Sequence, residues 1–565
     1  MNKFVRLAVV LVLLAGAFSQ SMSAAQAKPS GTVNVQILAL NDFHGNLLPP
    51  TSSSGCVPAV SGCPSPNVPA GGVEYLATHI NDLRAQNPNT VVVSAGDLIG
   101  ASPLISALFH DEPTIEAFNL IGLDFNAVGN HEFDEGWSEL VRMQEGGCHP
   151  VDGCLDGDDF AGANFQFLAA NVVRKDNGKT IFPAYKMRSF AGAKVAFIGM
   201  TLEGTPSIVT PTGIADLNFL DEADTVNALI PELKAKGIET IVVLVHEGGV
   251  QSSPAPYNGC VGVSGPIVDI VNRLDDEVDV VISGHTHQPY NCTIDGKLVT
   301  SAFSFGRIVT KIDLTIDRAT GEVTTMSADN RIVTRTVAKD SLLTDLINKY
   351  NAIVAPLANR VIGSITAGMT RANNSAGESN LGNMIADAQL YATADPANGN
   401  AVIAFMNPGG IRTDLTYPSS PAGEGDGNVT YGESFNVQPF GNNLVTMTMT
   451  GAQIKQLLEQ QFNNPSVGQN RILSVSNGFT YSWSASAPIG SKVSNMALNG
   501  VAIDPSASYR VTMNNFLADG GDNFSAFTLG TDRLGGAVDT DALETYFVAF
   551  SPVAPPLQNR ITRLP

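Results

Sequence analysis

The feature that most limits how this chain can fold occurs five times in its first half: an apolar run of strand character stops abruptly in a polar cluster rich in Asp, His, Asn and Gly. Residues 33–40 run into Asn41-Asp42-Phe43-His44-Gly45, 90–94 into Gly96-Asp97, and 125–128 into Gly129-Asn130-His131-Glu132-Phe133-Asp134. Residues 241–245 run into His246-Glu247-Gly248, and 278–282 into Ser283-Gly284-His285-Thr286-His287. Runs such as Val91-Val92-Val93 and Val242-Val243-Leu244 are apolar on both faces, as strands buried between helices must be. Between them, 74–84, 113–121 and 221–236 have the spacing of amphipathic helices. Strands alternating with helices predict an α/β layer sandwich whose polar clusters gather where the strands end.

With 565 residues the chain is too long for one domain; about 100 to 200 residues per domain gives two to four. After Arg335 the character changes. Residues 341–357 keep helical spacing at Leu342, Leu343, Leu346, Ile347 and Tyr350, and the remainder carries no Cys and no His. The expected organisation is a leader at 1–27, a first domain at 28–340 that carries the polar clusters, a linker helix at 341–360 and a binding domain at 361–565. Lys3 and Arg6 precede an apolar run at 7–18, and Ala25-Gln26-Ala27 supplies the small residues a signal peptidase needs, which predicts cleavage after Ala27 and export. That run is shorter than the roughly 20 residues a bilayer requires, so no membrane anchor is expected. Of the 15 connectivities six Cys allow, proximity favours Cys56 with Cys63, Cys148 with Cys154, and Cys260 with Cys292 as the expected disulfides, a pattern suited to an exported protein.

A formal charge of −21 excludes a nucleic acid duplex as a bulk partner, because no basic field holds the polyanion. A small anion can bind only where something locally positive overrides that sign, and bound metal does so. Five of the eight His (His44, His131, His246, His285 and His287) fall in the strand-end clusters. Asp42 and His44, two residues apart, are expected on one side of an extended strand end, a chelating arrangement. Asp97 is placed to bridge two ions, Asn130, His246 and His285 complete a second ligand set, and His287 turns back to the first ion. Two divalent ions against two carboxylates leave the site at about +2, an anion trap suited to in-line attack on phosphorus. His131 stays outside the ligand set with Asp134 orienting its ring, which reads as an acid for the leaving oxygen.

Asp-x-His, Gly-Asp, Gly-Asn-His-Glu-x-x-Asp, His and Gly-His-x-His, followed by a second domain, resemble the secreted and periplasmic 5′-nucleotidases of the metallophosphoesterase (calcineurin-like) superfamily. The resemblance runs from about Val33 to Leu557. It implies a four-layer α/β/β/α sandwich followed by an α/β substrate-binding domain. It also implies two divalent metals, zinc or manganese, one held by Asp42, His44, Asp97 and His287 and the other by Asp97, Asn130, His246 and His285, with His131 and Asp134 as catalytic dyad. The second domain matches the family at 378–383, 407–412, 438–442, 515–516 and 520–522. This implies that Phe440 and Phe516 sandwich the nucleobase, that Arg412 and Arg371 meet phosphate, and that Asp522 contacts the sugar, with Asn130, Asn380 and Asn407 also at the substrate. The implied reaction is hydrolysis of 5′-nucleotides to nucleoside and phosphate. The same site also suits phosphorus bonds in UDP-sugars, NAD or 2′,3′-cyclic nucleotides, and an exported binding protein is the alternative of another class.

Overall fold

The computed structural model describes residues 30–50, 55–58, 67–252, 255–420 and 422–565. The expected leader and the expected Cys56–Cys63 pair, through Cys63, lie outside the described residues. Disulfides join Cys148 to Cys154 and Cys260 to Cys292.

Two six-stranded sheets face each other. The first runs in the order Val323–Ile332, Ile308–Asp317, Thr32–Leu40, Thr90–Ser94, Phe125–Ala127 and Gln166–Leu168. Its last four strands are parallel, and Ile308–Asp317 joins them antiparallel. The second runs Pro289–Ile294, Lys297–Ala302, Val280–Ser283, Thr240–His246, Ala193–Thr201 and Tyr185–Phe190, with four parallel strands between antiparallel edges. Val35, Ile37, Val91 and Val93 from one sheet meet Phe197, Val242, Leu244 and Val280 from the other in a dry layer. The opposite faces of the same strands are apolar because helices cover them. Val73–Arg84 buries Val73, Leu76, Ala77 and Ile80, a three-to-four spacing, against the first sheet, and Glu222–Ala235 and Pro266–Arg273 cover the second. At roughly 1.5 to 3 kcal/mol per large buried apolar side chain, this double burial of Val-rich strands commits the first half to an α/β/β/α sandwich.

The helix Ser341–Ala358 is capped by the Asp340 carboxylate, which accepts from the amides of Leu342 and Leu343. Its Leu343, Ile347, Tyr350 and Val354 are built into the core of the first body, and Tyr431 and Phe435 of the second body pack against that same cluster. The helix is therefore a post on which the second body docks. Lys349, next to Tyr350, pairs with Asp156 at 2.7 Å and Asp158 at 3.0 Å, just beyond the Cys148–Cys154 loop.

The second body centres on a five-stranded sheet in the order Ser474–Val475, Ile403–Met406, Ser508–Asn514, Asn443–Thr450 and Thr531–Val538. Helices Asn380–Thr393 and Asp539–Phe550 cover one face around Met384, Ile385, Leu543 and Phe547. The other face packs Phe405, Met447 and Met513 against Ile454, Tyr481 and Trp483. Among the described residues no helix is long and apolar enough to cross a membrane.

Candidate active site

The carboxyl ends of five parallel strands converge on one spot. Asp42 and His44 follow the strand ending at Leu40, Asp97 the one ending at Ser94, Asn130 and His131 the one ending at Ala127; His246 ends its own strand, and His285 and His287 follow Ser283. Asp42, His44, Asp97, Asn130 and His246 are buried, and a buried polar side chain needs a partner.

The backbone there departs from the extended strand end expected for Asp42 and His44. Asp42 (φ 50°), His44 (47°), Asp97 (51°), His285 (68°) and His287 (52°) are all left-handed. Non-glycine residues rarely hold this conformation, and where they do the strain clusters at functional sites. Each chain turns sharply inward at its strand end, and this turn brings Asp42 Oδ1 within 3.9 Å of His44 Nε2. Two glycines allow the crowding. A Cβ on Gly129 would stand 2.2 Å from Asp97 Oδ1, and one on Gly96 (φ 90°) would stand 2.7 Å from His246 Nδ1.

The ring nitrogens are oriented from behind. His44 Nδ1–H donates to the Gly100 carbonyl at 2.9 Å and His246 Nδ1–H to the Ala95 carbonyl at 2.8 Å, which leaves both Nε2 lone pairs facing the site. His44 Nε2 and His287 Nε2 lie 3.1 Å apart, and Asp42 Oδ1 is 3.2 Å from His287 Nε2. Asp97 Oδ2 is 2.9 Å from His246 Nε2 and 3.6 Å from His44 Nε2, so one carboxylate oxygen sits between the two sets. Ligand atoms of Asp42, His44 and His287 cluster within 4.8 Å of one another, as do those of Asp97, His246 and His285. Asn130 Oδ1 and His246 Nε2 are buried and make no hydrogen bond. Unsatisfied acceptors in a nitrogen and oxygen cluster of this kind are the atoms a divalent ion would use, so the residues fit the expected metals.

His131 Nδ1–H donates to Asp134 Oδ2 at 2.8 Å, and its backbone N–H donates to Asp97 Oδ1 at 2.9 Å. Burial works against a charge on the ring, but Asp134 and Asp97 outweigh it and raise the His131 pKa. Glu132, which the sequence reading left without a role, braces the site. Its Oε2 accepts from the amides of Asp97 (3.0 Å) and Gly129 (2.6 Å), and its Oε1 from Leu98 (2.8 Å) and from Asn126 Nδ2 (3.2 Å). Burial and the neighbouring Asp97 push its carboxyl pKa up to about 7.

From this cluster a cleft of about 190 Å³ opens between the two bodies. Asn130, His131, Asp134 and His285 line one end, and Asn407, Arg412, Phe440, Phe516 and Asp522 line the rest. Phe440 stacks on His131 with ring centres 5.7 Å apart and 22° between planes, and the Arg412 guanidinium lies 5.8 Å from the Phe440 ring centre. Burial lowers the Arg412 pKa while Asp97 and Asp134 oppose the shift, so it feels the field of a metal-site carboxylate and of the dyad. Asp522 accepts from Asn407 Nδ2 at 2.8 Å and pairs with Arg471 at 2.7 Å. Two expected substrate residues do not line this cleft. Arg371 is exposed and drawn to Asp414 at 3.7 Å, and Asn380 Oδ1 accepts from the Thr370 amide at 2.8 Å, tying down the loop that carries Arg371. Ile208, Val209, Thr210, Asn442, Arg471 and Asn514 also line the cleft without having been assigned from the sequence. Asn442 closes the family-matching segment 438–442, whereas Ile208 to Thr210 reach the cleft only because the two bodies dock.

An α/β/β/α sandwich with a strand-end His, Asp and Asn cluster defines the class of calcineurin-like phosphoesterases, and residues 35–289 match that family's model. Residues 361–529 match the model of the 5′-nucleotidase C-terminal domain; the chain belongs to the metallophosphoesterases that join these two domains. It is 33% identical over 540 residues to the endonuclease YhcR of Bacillus subtilis, an alignment covering 95% of this chain and 41% of that protein. It is 32% identical over 581 residues to the cell wall protein Lmo0130 of Listeria monocytogenes, covering 96% of this chain and 71% of that one. The crystal structure of a 5′-nucleotidase precursor from Thermus thermophilus superposes with a TM-score of 0.75 at 27% identity, covering 94% of this chain and 99% of that one.

Proposed function

We propose that the protein is an exported phosphohydrolase that uses two divalent ions, zinc or manganese, to cleave nucleoside 5′-phosphates to nucleoside and phosphate. The observation that carries this reading is a single cleft with the strand-end cluster at one end and Phe516, Asn407 and Asp522 at the other. Asp42, His44, Asp97 and His287 would hold one ion, and Asp97, Asn130, His246 and His285 the other. When bound, the ions supply positive charge to the phosphoryl oxygens and lower the pKa of the attacking water.

The chain's own residues do the rest. Arg412, in the cleft lining 5.8 Å from the Phe440 ring centre, offers a guanidinium to the phosphate. His131, held by Asp134 and with its pKa raised, delivers the proton that the 5′ oxygen takes as the phosphorus–oxygen bond breaks. Phe440 and Phe516 bound the base from two sides; stacking of this kind is worth about 1 to 3 kcal/mol per base. Asp522, fixed between Asn407 and Arg471, accepts from the sugar hydroxyls. In this reading 28–340 is the catalytic domain and 361–565 the recognition domain. Export is supported by the leader-like first residues and by the two disulfides. The test is phosphate release from AMP, UMP, ATP, UDP-glucose and NAD by stripped protein with manganese or zinc restored. AMP and UMP should lead, and a preference for UDP-glucose or NAD would move the assignment to pyrophosphate bonds.

A further inference from the structure

Three of the eight His lie outside the strand-end clusters, and the fold brings two of them face to face: the rings of His110 and His149 stack with centres 3.8 Å apart and 15° between planes. Each arrives on a different element. His110 ends the turn that follows the short helix Leu104–Ala107, and His149 lies in the loop closed by the Cys148–Cys154 disulfide. Carboxylates from a third segment meet them. Glu135 directly follows Asp134 of the dyad, and Glu139 stands in the first turn of the helix Trp137–Glu145. One side-chain nitrogen or oxygen from each of His110, Glu135, Glu139 and His149 lies within 4.8 Å of the other three.

The cluster is short of positive charge. His110 Nδ1 is 2.7 Å from Glu135 Oε2, and His110 Nε2 is 3.1 Å from Asp152 Oδ2, which also lies 3.4 Å from His149 Nδ1. Arg142 Nε holds both oxygens of Glu139, at 2.9 and 3.0 Å, and Arg142 Nη1 reaches Glu112 at 2.5 Å. Four carboxylates (Glu112, Glu135, Glu139 and Asp152) thus face one guanidinium, and His110, pressed between two of them, supplies further charge by taking a proton. Burial works against a charge on that ring, but Glu135, Glu139 and Asp152 outweigh it and raise its pKa. A divalent ion would answer the same acidic field more fully than one proton does.

We propose that His110, Glu135, Glu139 and His149 form a third metal site, separate from the strand-end cluster, for a zinc-type ion, with Asp152 as the outer carboxylate that orients both rings. The inference does not rest on the functional reading above. Two imidazoles and two carboxylates suit zinc, which takes four nitrogen or oxygen ligands, and not calcium, which takes six to eight oxygens. Bonds of about 2.0 to 2.2 Å put the ligand atoms of a tetrahedron roughly 3.4 Å apart, so the donors close by about an ångström as the ion enters. Stacked rings cannot both aim at one ion, so one of them turns about its soft outer torsion. A recess of about 70 Å³ against His110, Glu135 and Glu139 leaves room for that movement. His110 releases its proton to solvent as its lone pair goes to the ion, while Arg142 keeps Glu139 ionised and in place. The ion then ties the disulfide loop to the segment that carries Asp134, adding stability rather than chemistry.

The test counts zinc retained after dialysis, by elemental analysis, in wild type and in His110→Ala/His149→Ala. Wild type should hold one ion more than the variant, and the same difference of one should persist in an Asp97→Ala background. Equal zinc in the two folded proteins, or an extra ion that vanishes with Asp97→Ala alone, overturns the proposal. Should the double variant fold poorly, Glu135→Gln, which removes a half-exposed ligand, should weaken binding of the extra ion about tenfold or more in a zinc titration; unchanged affinity overturns the proposal equally. Calcium should not displace the extra zinc, and displacement would overturn the assignment to a zinc-type ion. If the strand-end cluster takes up no metal, the functional reading fails separately, and the difference of one ion still decides this site.

Discussion

Replacing Glu132 with Gln tests whether the site is held from behind rather than by its ligands alone. The carboxylate accepts four hydrogen bonds, three from the amides of Asp97, Leu98 and Gly129 and one from Asn126. A Gln keeps one oxygen and turns the other into a donor. Whichever way the amide lies, two donors then face a donor, and hydrogen bonds to a charged group are worth about 1.5 to 3 kcal/mol each. The loop relieves that conflict by moving, and the part that moves carries Asp97, whose Oδ2 lies between His44 and His246. A shift absorbing about half of the lost energy costs roughly 10- to 100-fold in metal affinity, the range typical of residues that orient ligands. The assay is zinc titration of stripped protein against a chromophoric chelator, with circular dichroism to verify the fold. Unchanged affinity for both ions in folded Glu132→Gln protein would refute the reasoning.

His131→Ala should keep both ions yet slow AMP hydrolysis by about 10² to 10⁴, since it removes a positioned proton donor and no ligand; loss of metal, read by elemental analysis, would make His131 a ligand instead. Phe516→Ala should raise KM for AMP about tenfold while leaving p-nitrophenyl phosphate, which has no base, nearly unchanged. Equal losses on both substrates would assign Phe516 to the fold. Asp539 is buried at the start of its helix, and burial pushes its pKa up to about 7, well above the unfolded value. A raised carboxyl stabilises the protonated folded state below the unfolded pKa and loses that stabilisation as pH rises through about 7. Asp539→Asn should therefore melt higher than wild type at pH 8 by scanning fluorimetry, with the difference vanishing toward pH 4; a constant difference across that window would sink the argument.

The strand-end chemistry was legible because each cluster is local: an apolar run, a stop, and two or three polar residues. The layer order followed from Val-rich runs apolar on both faces, and the disulfides at Cys148 and Cys260 from simple proximity. Backbone conformation was not legible. Asp42 and His44 were expected on an extended strand end, but a left-handed turn aims them, and nothing in an Asp-x-His spacing reports its φ values. The helix Ser341–Ala358 reads from its spacing as a linker, but amphipathicity does not say that its apolar stripe belongs to the first core. Residues that matter only through docking, such as Ile208 to Thr210 facing Phe516 and Asp522 across the cleft, carry no local signal. Arg371 lies outside the cleft lining, its guanidinium 3.7 Å from Asp414, and no spacing in the sequence reports that neighbour.

The central claim is that two ions and one cleft together hydrolyse a nucleoside 5′-phosphate. Titrating stripped protein with manganese or zinc while following phosphate release from AMP tests it most directly. Activity should rise from near zero to a plateau at two equivalents and should not be restored in Asp97→Ala, which removes the shared carboxylate. Full activity without added metal, a plateau at one equivalent, or no phosphate from AMP at any loading would contradict it.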